Sequence, residues 1–207
     1  MKLLVAGAGG HGRVVADAAR RTGTYAVVAF LDDLYPEVKA SGSWPIVGRL
    51  SDMHLHIAEF DSFVAAFGDA HRRLAMLDQA ETRGFRLTSI VHPAAMVADN
   101  VGIGAGAVVL AGAVVNVGAV IGRGVIINSG AIVEHDCQIE SGAHVCPGAR
   151  LAGEVVIGNG SWIGIGASII QGIRIGANAT VGAGAACIRD VGDGMVVVGV
   201  PAREMVR

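Results

Sequence analysis

Aliphatic residues recur at every sixth position over almost half of this chain, and no other feature constrains its fold as strongly. The run starts at Val91, ends at Val181 and skips no position. An α-helix repeats its apolar face every 3.6 residues and a strand alternates every two, so neither explains a spacing of six. A period of six is typical of a parallel β-helix built from hexapeptide repeats. The complete series is Val91, Val97, Ile103, Val109, Val115, Ile121, Ile127, Val133, Ile139, Val145, Leu151, Ile157, Ile163, Ile169, Ile175 and Val181.

The remaining positions of each repeat support the same register. The fourth position after each aliphatic residue is mostly small, and Cys137 at such a position is predicted to be a packed thiol. Because Gly, Asn and Asp tolerate a left-handed backbone, each repeat is predicted to be a short strand followed by a tight corner. Three such repeats then close one triangular coil, and the stacked coils of one chain form a triangular prism. From Val97 onward the third position is Gly in eleven of fifteen repeats, and the exceptions are Asn100, Asp136, Glu154 and Asn178.

Residues 1–90 lack this period and alternate between strand-like and helix-like segments. Such alternation implies a parallel sheet with helices packed on it. We therefore predict an α/β Rossmann-like half-domain over residues 1–90, followed by the parallel β-helix over residues 91–207. Within the first domain we predict strands over 2–6, 25–31, 62–67 and 85–90, a helix over 13–21, a second helix that follows Gly68-Asp69 and ends at about Arg83, and a loop over 41–47.

The glycine-rich segment 7–12 lies between the first predicted strand and the first helix. Glycines at this turn let backbone N–H groups approach a phosphate closely, and Asp32 at the end of the second strand is placed to bind ribose hydroxyls. A loop of this kind is a weak signal alone, so a tight turn without a ligand and a complete NAD site both stay open. Because only one nucleotide-binding half is present, the sequence favours a mononucleotide or a nucleotide-sugar.

Composition narrows the classes of partner. A formal net charge of −2 implies no surface for nucleic acid or another polyanion. The three cysteines fit no zinc spacing, and an odd count without a signal peptide predicts a cytoplasmic protein. Segment 100–122 is apolar enough to span a bilayer, but its glycines and six-residue period fit β-helix coils better, so we expect no membrane span. His54 and His56 are predicted to be a solvated surface pair rather than a metal site.

Two histidines interrupt the coils at positions that point away from the core, His135 and His144. A carboxylate beside an imidazole can fix its tautomer and raise its basicity, which makes Glu134-His135-Asp136 a candidate catalytic segment. The alternative is that both histidines are ordinary surface residues. They lie half a coil apart and point in different directions, so a site that uses both must lie between two prisms. Exposed apolar columns mark an interface, and we predict one from the outward residues Val108, Val114, Val120, Ile126 and Ile132.

With these motifs in view, the whole chain resembles the bacterial nucleotide-sugar acetyltransferases of the hexapeptide-repeat superfamily. The resemblance is to the group of UDP-N-acetylbacillosamine N-acetyltransferase and sialic-acid O-acetyltransferase. The matching segments are Gly-Ala-Gly-Gly-His-Gly at 7–12, Phe-Leu-Asp-Asp at 30–33, Phe-Gly-Asp at 67–69, Ile-Val-His-Pro at 90–93, Ile-Asn at 127–128, Val-Glu-His-Asp-Cys at 133–137, Ser-Gly-Ala-His at 141–144 and Val-Gly-Val-Pro-Ala-Arg at 198–203.

The resemblance implies a left-handed β-helix, a homotrimer, acetyl-CoA bound between neighbouring prisms, and a nucleotide-sugar held by the N-terminal domain without a metal. His135 matches the family's general base and Asp136 the acid that raises its basicity, at a position where the family often has Glu. The residues that match acetyl-CoA contacts are His144, Gly153, Ile165, Gly182 and Ala183. The residues that match the nucleotide-sugar site are Gly9, Gly10, His11, Asp32, Asp33 and Gly68.

The function expected from the resemblance is acetyl-CoA-dependent N-acetylation of a nucleotide-linked amino-dideoxy sugar in bacterial surface-glycan biosynthesis. The acceptor would be of the UDP-4-amino-sugar or GDP-perosamine type, and the sequence does not select the nucleotide. One alternative is O-acetylation of sialic acid or a related sugar. A zinc carbonic anhydrase of β-helix fold would need three convergent histidines, which the spacing of His92, His135 and His144 does not provide. A non-catalytic scaffold that binds nucleotide-sugars is the remaining alternative.

Overall fold

The computed structural model describes residues 1–205, so the last two residues of the predicted second domain lie outside the described part. The chain starts with β1 (Lys2–Ala6), α1 (Gly10–Arg21), β2 (Val27–Leu31), β3 (Ala40–Ser41), β4 (Trp44–Gly48), a 3₁₀ helix (Leu50–His56), β5 (Ser62–Ala65) and α2 (Ala70–Thr82). Its sheet has the order β3-β4-β2-β1-β5, and β4, β2, β1 and β5 run parallel.

The two helices cover opposite faces of this sheet. Successive side chains along a strand point to opposite faces, so the apolar run of β1 supplies two cores. Leu3 and Val5 pack in the core that contains α1, whereas Leu4 and Ala6 pack in the core that contains α2. Burial on both faces is expected of a parallel sheet between helices and confirms the α/β prediction for this part of the chain.

The predicted loop over 41–47 is wrong, because the segment forms a hairpin. Ser41 and Trp44 pair across a turn in which Gly42 has a φ of +63°. Ile46 is buried, and the Trp44 ring lies edge-on to the Phe30 ring with centroids 6.2 Å apart. Strand β4 therefore extends the sheet beside β2. Pro45, the second residue of the strand, concealed its apolar alternation.

The predicted strand over 85–90 is also wrong as a continuous element. Leu87 makes a single parallel bridge to Phe63. The next strand is Ile90–Val91, and it pairs with Val108–Val109 of the following coil. Phe85 is buried against Phe63 with ring centroids 5.3 Å apart, so packing of the side chain explains the apolar signal.

The hexapeptide prediction is confirmed along the rest of the chain. Each repeat forms a two-residue strand and a corner, and the coils stack as a left-handed parallel β-helix. The strands are β6 (Ile90–Val91), β7 (Met96–Val97), β8 (Gly102–Ile103), β9 (Val108–Val109), β10 (Val114–Val115), β11 (Val120–Ile121), β12 (Ile126–Ile127), β13 (Ile132–Val133), β14 (Gln138–Ile139), β15 (His144–Val145), β16 (Arg150–Leu151), β17 (Val156–Ile157), β18 (Trp162–Ile163), β19 (Ser168–Ile169), β20 (Arg174–Ile175), β21 (Thr180–Val181), β22 (Ala186–Cys187), β23 (Val196–Val198) and β24 (Arg203–Glu204).

The coils present three faces. The first face contains β6, β9, β12, β15, β18 and β21, and it ends with the antiparallel pair β23 and β24. The second face contains β7, β10, β13, β16, β19 and β22, and the third contains β8, β11, β14, β17 and β20. The core between the faces consists of the aliphatic and small positions of the repeats, Cys137 included. Fourteen of the fifteen predicted corner residues have positive φ, and Asn100 is the exception.

The N-terminal domain packs on the first face of its own β-helix. Val108 and Leu110 belong to the core that contains α1. Helix α2 lies along the corners between the third and first faces, where a Cβ at Gly124 would contact Leu74 and Leu77. The small corner residues therefore provide the surface on which α2 packs.

Within residues 1–205 no helix is long and apolar enough to cross a membrane. Segment 100–122, which was long and apolar enough to suggest a membrane span, forms four strands of the early coils. The division at residue 90 stays a prediction, since the strand Ile90–Val91 at this position pairs within the first face.

Candidate active site

His135 lies at the corner that joins the second face to the third. Its side chain is half exposed, and its Nδ1 lies 2.8 Å from Asp136 Oδ2. The hydrogen bond with this carboxylate, followed by its charge, raises the pKa of His135 above the ordinary 6.5. Because the carboxylate accepts from Nδ1–H, the Nε2 lone pair remains available as a base.

Asp136 occupies the corner position that is glycine in most repeats. Its φ is +59°, in the left-handed region that Asp adopts more readily than most other residues. The neighbouring Glu134 makes a different contact, since its Oε2 accepts a 2.8 Å hydrogen bond from Asn116 Nδ2. The predicted pair of His135 and Asp136 is thus assembled from adjacent residues of a single corner.

Gly153 lies one coil beyond His135 at the matching corner. A Cβ at this position would overlap the His135 imidazole. The Gly153 carbonyl accepts from Gly172 N–H, whereas its own N–H makes no hydrogen bond within residues 1–205. An unpaired backbone donor therefore lies beside the free Nε2 of His135.

His144 is on β15 of the first face, and only 7% of its surface is exposed. Its ring lies 6.4 Å from the His11 ring and 4.5 Å from the Trp162 ring, centroid to centroid. Burial, with smaller contributions from the charges of Arg73 and His11, lowers the pKa of His144 to about 3. His144 is therefore a neutral, buried side chain at the junction of the two domains.

This burial corrects the predicted exposed interface column. Val108 and Ile126 share the first face with His144, but both are fully buried. The physical reason is that the chain's own N-terminal domain covers the early part of that face. Val114, Ile132 and Val120 lie on the other two faces, so the five outward residues do not form one column.

The glycine-rich segment ends in the first turn of α1. Gly9 is the N-cap residue, and among residues 1–205 no side chain caps this helix, so its first N–H groups have no side-chain acceptor. A Cβ on Gly9 or Gly10 would meet no atom within 4 Å, whereas one on Gly12 would overlap the Gly7 carbonyl. An open, uncapped helix start is a ready site for a phosphate.

The two acidic residues after β2 have different surroundings. Asp32 accepts a 2.8 Å hydrogen bond from Ala8 N–H with one oxygen and a 3.1 Å bond from Leu34 N–H with the other. It therefore holds the glycine-rich loop in place. Asp33 is largely exposed, with one oxygen 3.7 Å from Arg72 Nη2.

Gly68 and His144 line one crevice of about 310 Å³ between the N-terminal domain and the β-helix. His11 lies next to it, and burial followed by the charge of Arg73 lowers its pKa to about 4. The structure therefore brings His11, Gly68 and His144 together. It also brings His135, Asp136 and Gly153 together, but at a different corner of the prism.

Ile165, Gly182 and Ala183 lie at the corners that join the first face to the second. Ile165 and Ala183 are exposed, and Gly182 is packed under Val198 of β23. These positions share no corner with His135. A ligand that contacts both sets must therefore reach from one corner column to another, either around one prism or across two prisms.

Sequence reasoning missed Arg73, which is fully buried on α2. Its guanidinium donates to the carbonyls of Phe67 and Gly68, which lie in the loop before α2. It also donates to the carbonyls of Gly124 and Gly142 at two coil corners. Burial lowers its pKa to about 10, so it remains a cation. The sequence gives only a weak signal for a buried arginine here, since an Arg-Arg pair in a helix is typical of a solvent-exposed helix face.

Among the described residues, no group of three or more His, Cys, Asp or Glu side chains is arranged to hold a metal ion. His54 is exposed as predicted, but His56 is partly buried beside Glu59 and Phe60. The prediction of a solvated pair is therefore wrong for His56.

Comparison with known proteins identifies the family to which this chain belongs. Residues 2–80 match the model of the PglD N-terminal domain, and residues 118–153 and 154–189 match the bacterial transferase hexapeptide model of six repeats. The acetyltransferase domain of PglB from Neisseria gonorrhoeae FA1090, solved in complex with acetyl coenzyme A, is 40% identical with a TM-score of 0.95, and the match covers 99% of this chain and 98% of that one.

A second similar structure is PerB from Caulobacter crescentus in complex with CoA and GDP-perosamine. It is 34% identical with a TM-score of 0.92, over 100% of this chain and 98% of that one. WeeI from Acinetobacter baumannii AYE is 26% identical with a TM-score of 0.84, over 99% of this chain and all of that one. The likeness thus extends over both domains and confirms the resemblance noted from the motifs. The chain belongs to the family of hexapeptide-repeat sugar N-acetyltransferases.

Proposed function

We propose that this protein is an acetyl-CoA-dependent N-acetyltransferase that acts on the amine of a nucleotide-linked amino-dideoxy sugar in bacterial surface-glycan biosynthesis. One observation carries the proposal: His135 offers a free Nε2 whose basicity is raised by Asp136, next to the unpaired N–H of Gly153. Similarity to the PglB domain and to PerB supports the choice of acetyl-CoA and of an amino sugar.

The reaction needs a base and a donor for the oxyanion. The sugar amine attacks the thioester carbonyl, a C–N bond forms, and His135 Nε2 takes one proton from the nitrogen. The Gly153 N–H donates to the carbonyl oxygen as negative charge develops on it. The C–S bond then breaks, and CoA leaves as a thiolate that accepts a proton. General base catalysis of this kind contributes about 10²–10⁴-fold.

The N-terminal domain is proposed to hold the nucleotide-sugar through Gly9, Gly10, His11, Asp32, Asp33 and Gly68. The uncapped start of α1 suits the diphosphate, because the helix dipole and free N–H groups attract negative charge. Asp33 is exposed and available to the nucleotide. The contribution of Asp32 is to shape the loop, since both its oxygens accept backbone N–H groups.

The proposed assembly is a homotrimer that binds acetyl-CoA between prisms through Gly153, Ile165, Gly182 and Ala183. His135 and His144 lie on different sides of one prism, which favours a site shared by two copies. Exposed apolar residues near the His135 corner suit such an interface. They are Met96, Val117 and Val120, exposed by 70%, 54% and 55%.

The contact of His144 with acetyl-CoA, which the resemblance implies, stays a prediction. Its burial beside His11 and Gly68 favours a contact with the sugar at the point where the two substrates meet. A cytoplasmic location is proposed as well. The thiols of Cys137, Cys146 and Cys187 are buried and unpaired, as is usual in a reducing compartment.

The test is a screen for CoA release with UDP-4-amino-sugars, GDP-perosamine and CMP-sialic acid, with His135→Ala as the matched inactive control. We expect release with an amino sugar and a product that resists hydroxylamine, because an amide survives this treatment and an ester does not. A hydroxylamine-labile product would identify an O-acetyltransferase. Sugar binding without CoA release from any acceptor would contradict the proposal.

A further inference from the structure

The two ring nitrogens of His144 have different surroundings. Nε2 lies 3.0 Å from the side-chain nitrogen of Asn128. Nδ1 is buried and has no hydrogen-bond partner among the residues that the structure describes. Buried polar atoms are nearly always paired, so the free Nδ1 requires an explanation.

The Asn128 amide has only one orientation that satisfies its neighbours. Its Oδ1 accepts a 2.8 Å hydrogen bond from Ser129 N–H, which places the NH₂ group toward His144. An amide NH₂ can only donate, so Nε2 of His144 must accept and carries no proton. A neutral imidazole has one N–H, and in His144 this proton is therefore on Nδ1.

The surroundings of His144 agree with a neutral ring. Arg73 contributes a buried cation that donates to the carbonyl of Gly142, two residues before His144. Burial and this charge disfavour the imidazolium, and the pKa of His144 is lowered to about 3. The rings of Trp162 and His11 complete the enclosure. Protonation of Nε2 would also place two donors against each other.

The unpaired Nδ1–H belongs to a side chain at the nucleotide-sugar loop. The His11 ring lies 6.4 Å away between centroids, and its Nε2 is likewise buried and unpartnered within residues 1–205. Gly68 and His144 line the same crevice. His144, with this fixed donor, therefore lines a crevice that borders the glycine-rich loop.

We propose that Asn128 is a positioning residue that holds His144 as its Nδ1–H tautomer, so that His144 donates a hydrogen bond to an oxygen of the nucleotide-linked sugar. The identity of the ligand rests on the proposed function, whereas the tautomer does not. The arrangement resembles the ring-orienting hydrogen bonds that set the donor nitrogen of histidines in other sites.

The substitution Asn128→Asp tests the tautomer. Aspartate has almost the same shape, and one of its oxygens can still accept from Ser129 N–H. Its second oxygen accepts where the amide donated, so it should draw the proton of His144 to Nε2. Nitrogen-15 NMR of the histidine-labelled protein reads the two tautomers directly, with the His144→Asn spectrum used for assignment.

We expect a protonated Nδ1 in the wild type, a protonated Nε2 in Asn128→Asp, and no change in Asn100→Asp. Asn100 is exposed at another corner and provides the same change of charge. A wild-type His144 with the proton on Nε2, or a tautomer that Asn128→Asp leaves unchanged, would overturn the proposal. These spectra need no substrate and are independent of any activity.

Steady-state kinetics tests whether the nucleotide-sugar is the ligand that accepts the hydrogen bond from His144. Loss of one buried donor should raise KM for the nucleotide-sugar about tenfold or more in Asn128→Asp, with KM for acetyl-CoA nearly unchanged. An increase confined to KM for acetyl-CoA, or no change in either KM, would show that the sugar does not accept a hydrogen bond from His144. Absence of acetyl transfer by the wild-type protein would refute the proposed function while the spectra still decide the tautomer.

Discussion

Replacement of Gly153 by alanine tests whether the position of His135 determines the rate. A Cβ at residue 153 would lie 2.5 Å from His135 Cε1 and closer still to Nε2, whereas ordinary contact begins at 3.4 Å. The imidazole must therefore move by about 1 Å. Since the ring is half exposed, it can do so without disturbing the core. Gly153 is not among the residues with positive φ, so alanine causes no backbone strain.

A displacement of about 1 Å in a catalytic group can cost about 10²-fold in rate. We therefore expect kcat for acetyl transfer to fall about 10²-fold in Gly153→Ala. The thermal unfolding midpoint should remain within a few degrees of the wild type, because the substitution touches only the exposed ring. The assay is continuous CoA release with saturating substrates, accompanied by a thermal unfolding scan.

The matched control is Gly102→Ala, because a Cβ at Gly102 meets no atom within 4 Å and its φ is not positive. This variant should keep wild-type kcat. A wild-type rate in Gly153→Ala would refute the argument that the placement of His135 over Gly153 matters. A loss of rate with a large fall in the unfolding midpoint would indicate a structural effect instead.

Three further predictions concern other parts of the site. Removal of the carboxylate in Asp136→Asn should lower the pKa of His135, so the acid limb of the kcat–pH profile should move to lower pH; an unmoved limb would show that Asp136 does not tune the base. Arg73→Met should lower the free energy of unfolding by about 2–4 kcal/mol in denaturant titrations, since it removes hydrogen bonds to four backbone carbonyls, two of them buried; a smaller loss would mean that water replaces the guanidinium. Mixed oligomers of His135→Ala and His144→Ala chains should regain part of the activity that each lacks alone, whereas no recovery would place both histidines of a site on one chain.

The repeat region could be predicted because its signal is local. Each repeat of six residues contains an inward aliphatic residue, a small residue and a left-handed corner. The register of the coils therefore follows from the sequence without knowledge of the tertiary structure. Asp136 could be singled out by the same argument, since it breaks the glycine pattern and has a φ of +59°. His135 could then be predicted as a catalytic residue, because it is adjacent to this carboxylate.

The rest could not be predicted because it depends on how the two domains pack. An outward valine such as Val108 has the same sequence signature whether its own domain or another copy covers it. Arg72 and Arg73 are adjacent on α2, yet one is exposed and the other is fully buried at the domain junction. The partnership of Asn128 and His144 also depends on their stacking in successive coils.

The most direct test of the account is the turnover of His135→Ala with the acceptor that the CoA-release screen identifies. We predict a kcat at least about 10²-fold below the wild type, because the general base is absent. Folding should be unchanged, since the side chain is half exposed and its described hydrogen bond is with the adjacent Asp136. Near wild-type turnover by a correctly folded His135→Ala protein would contradict the assignment of His135 as the base that accepts the proton of the sugar amine.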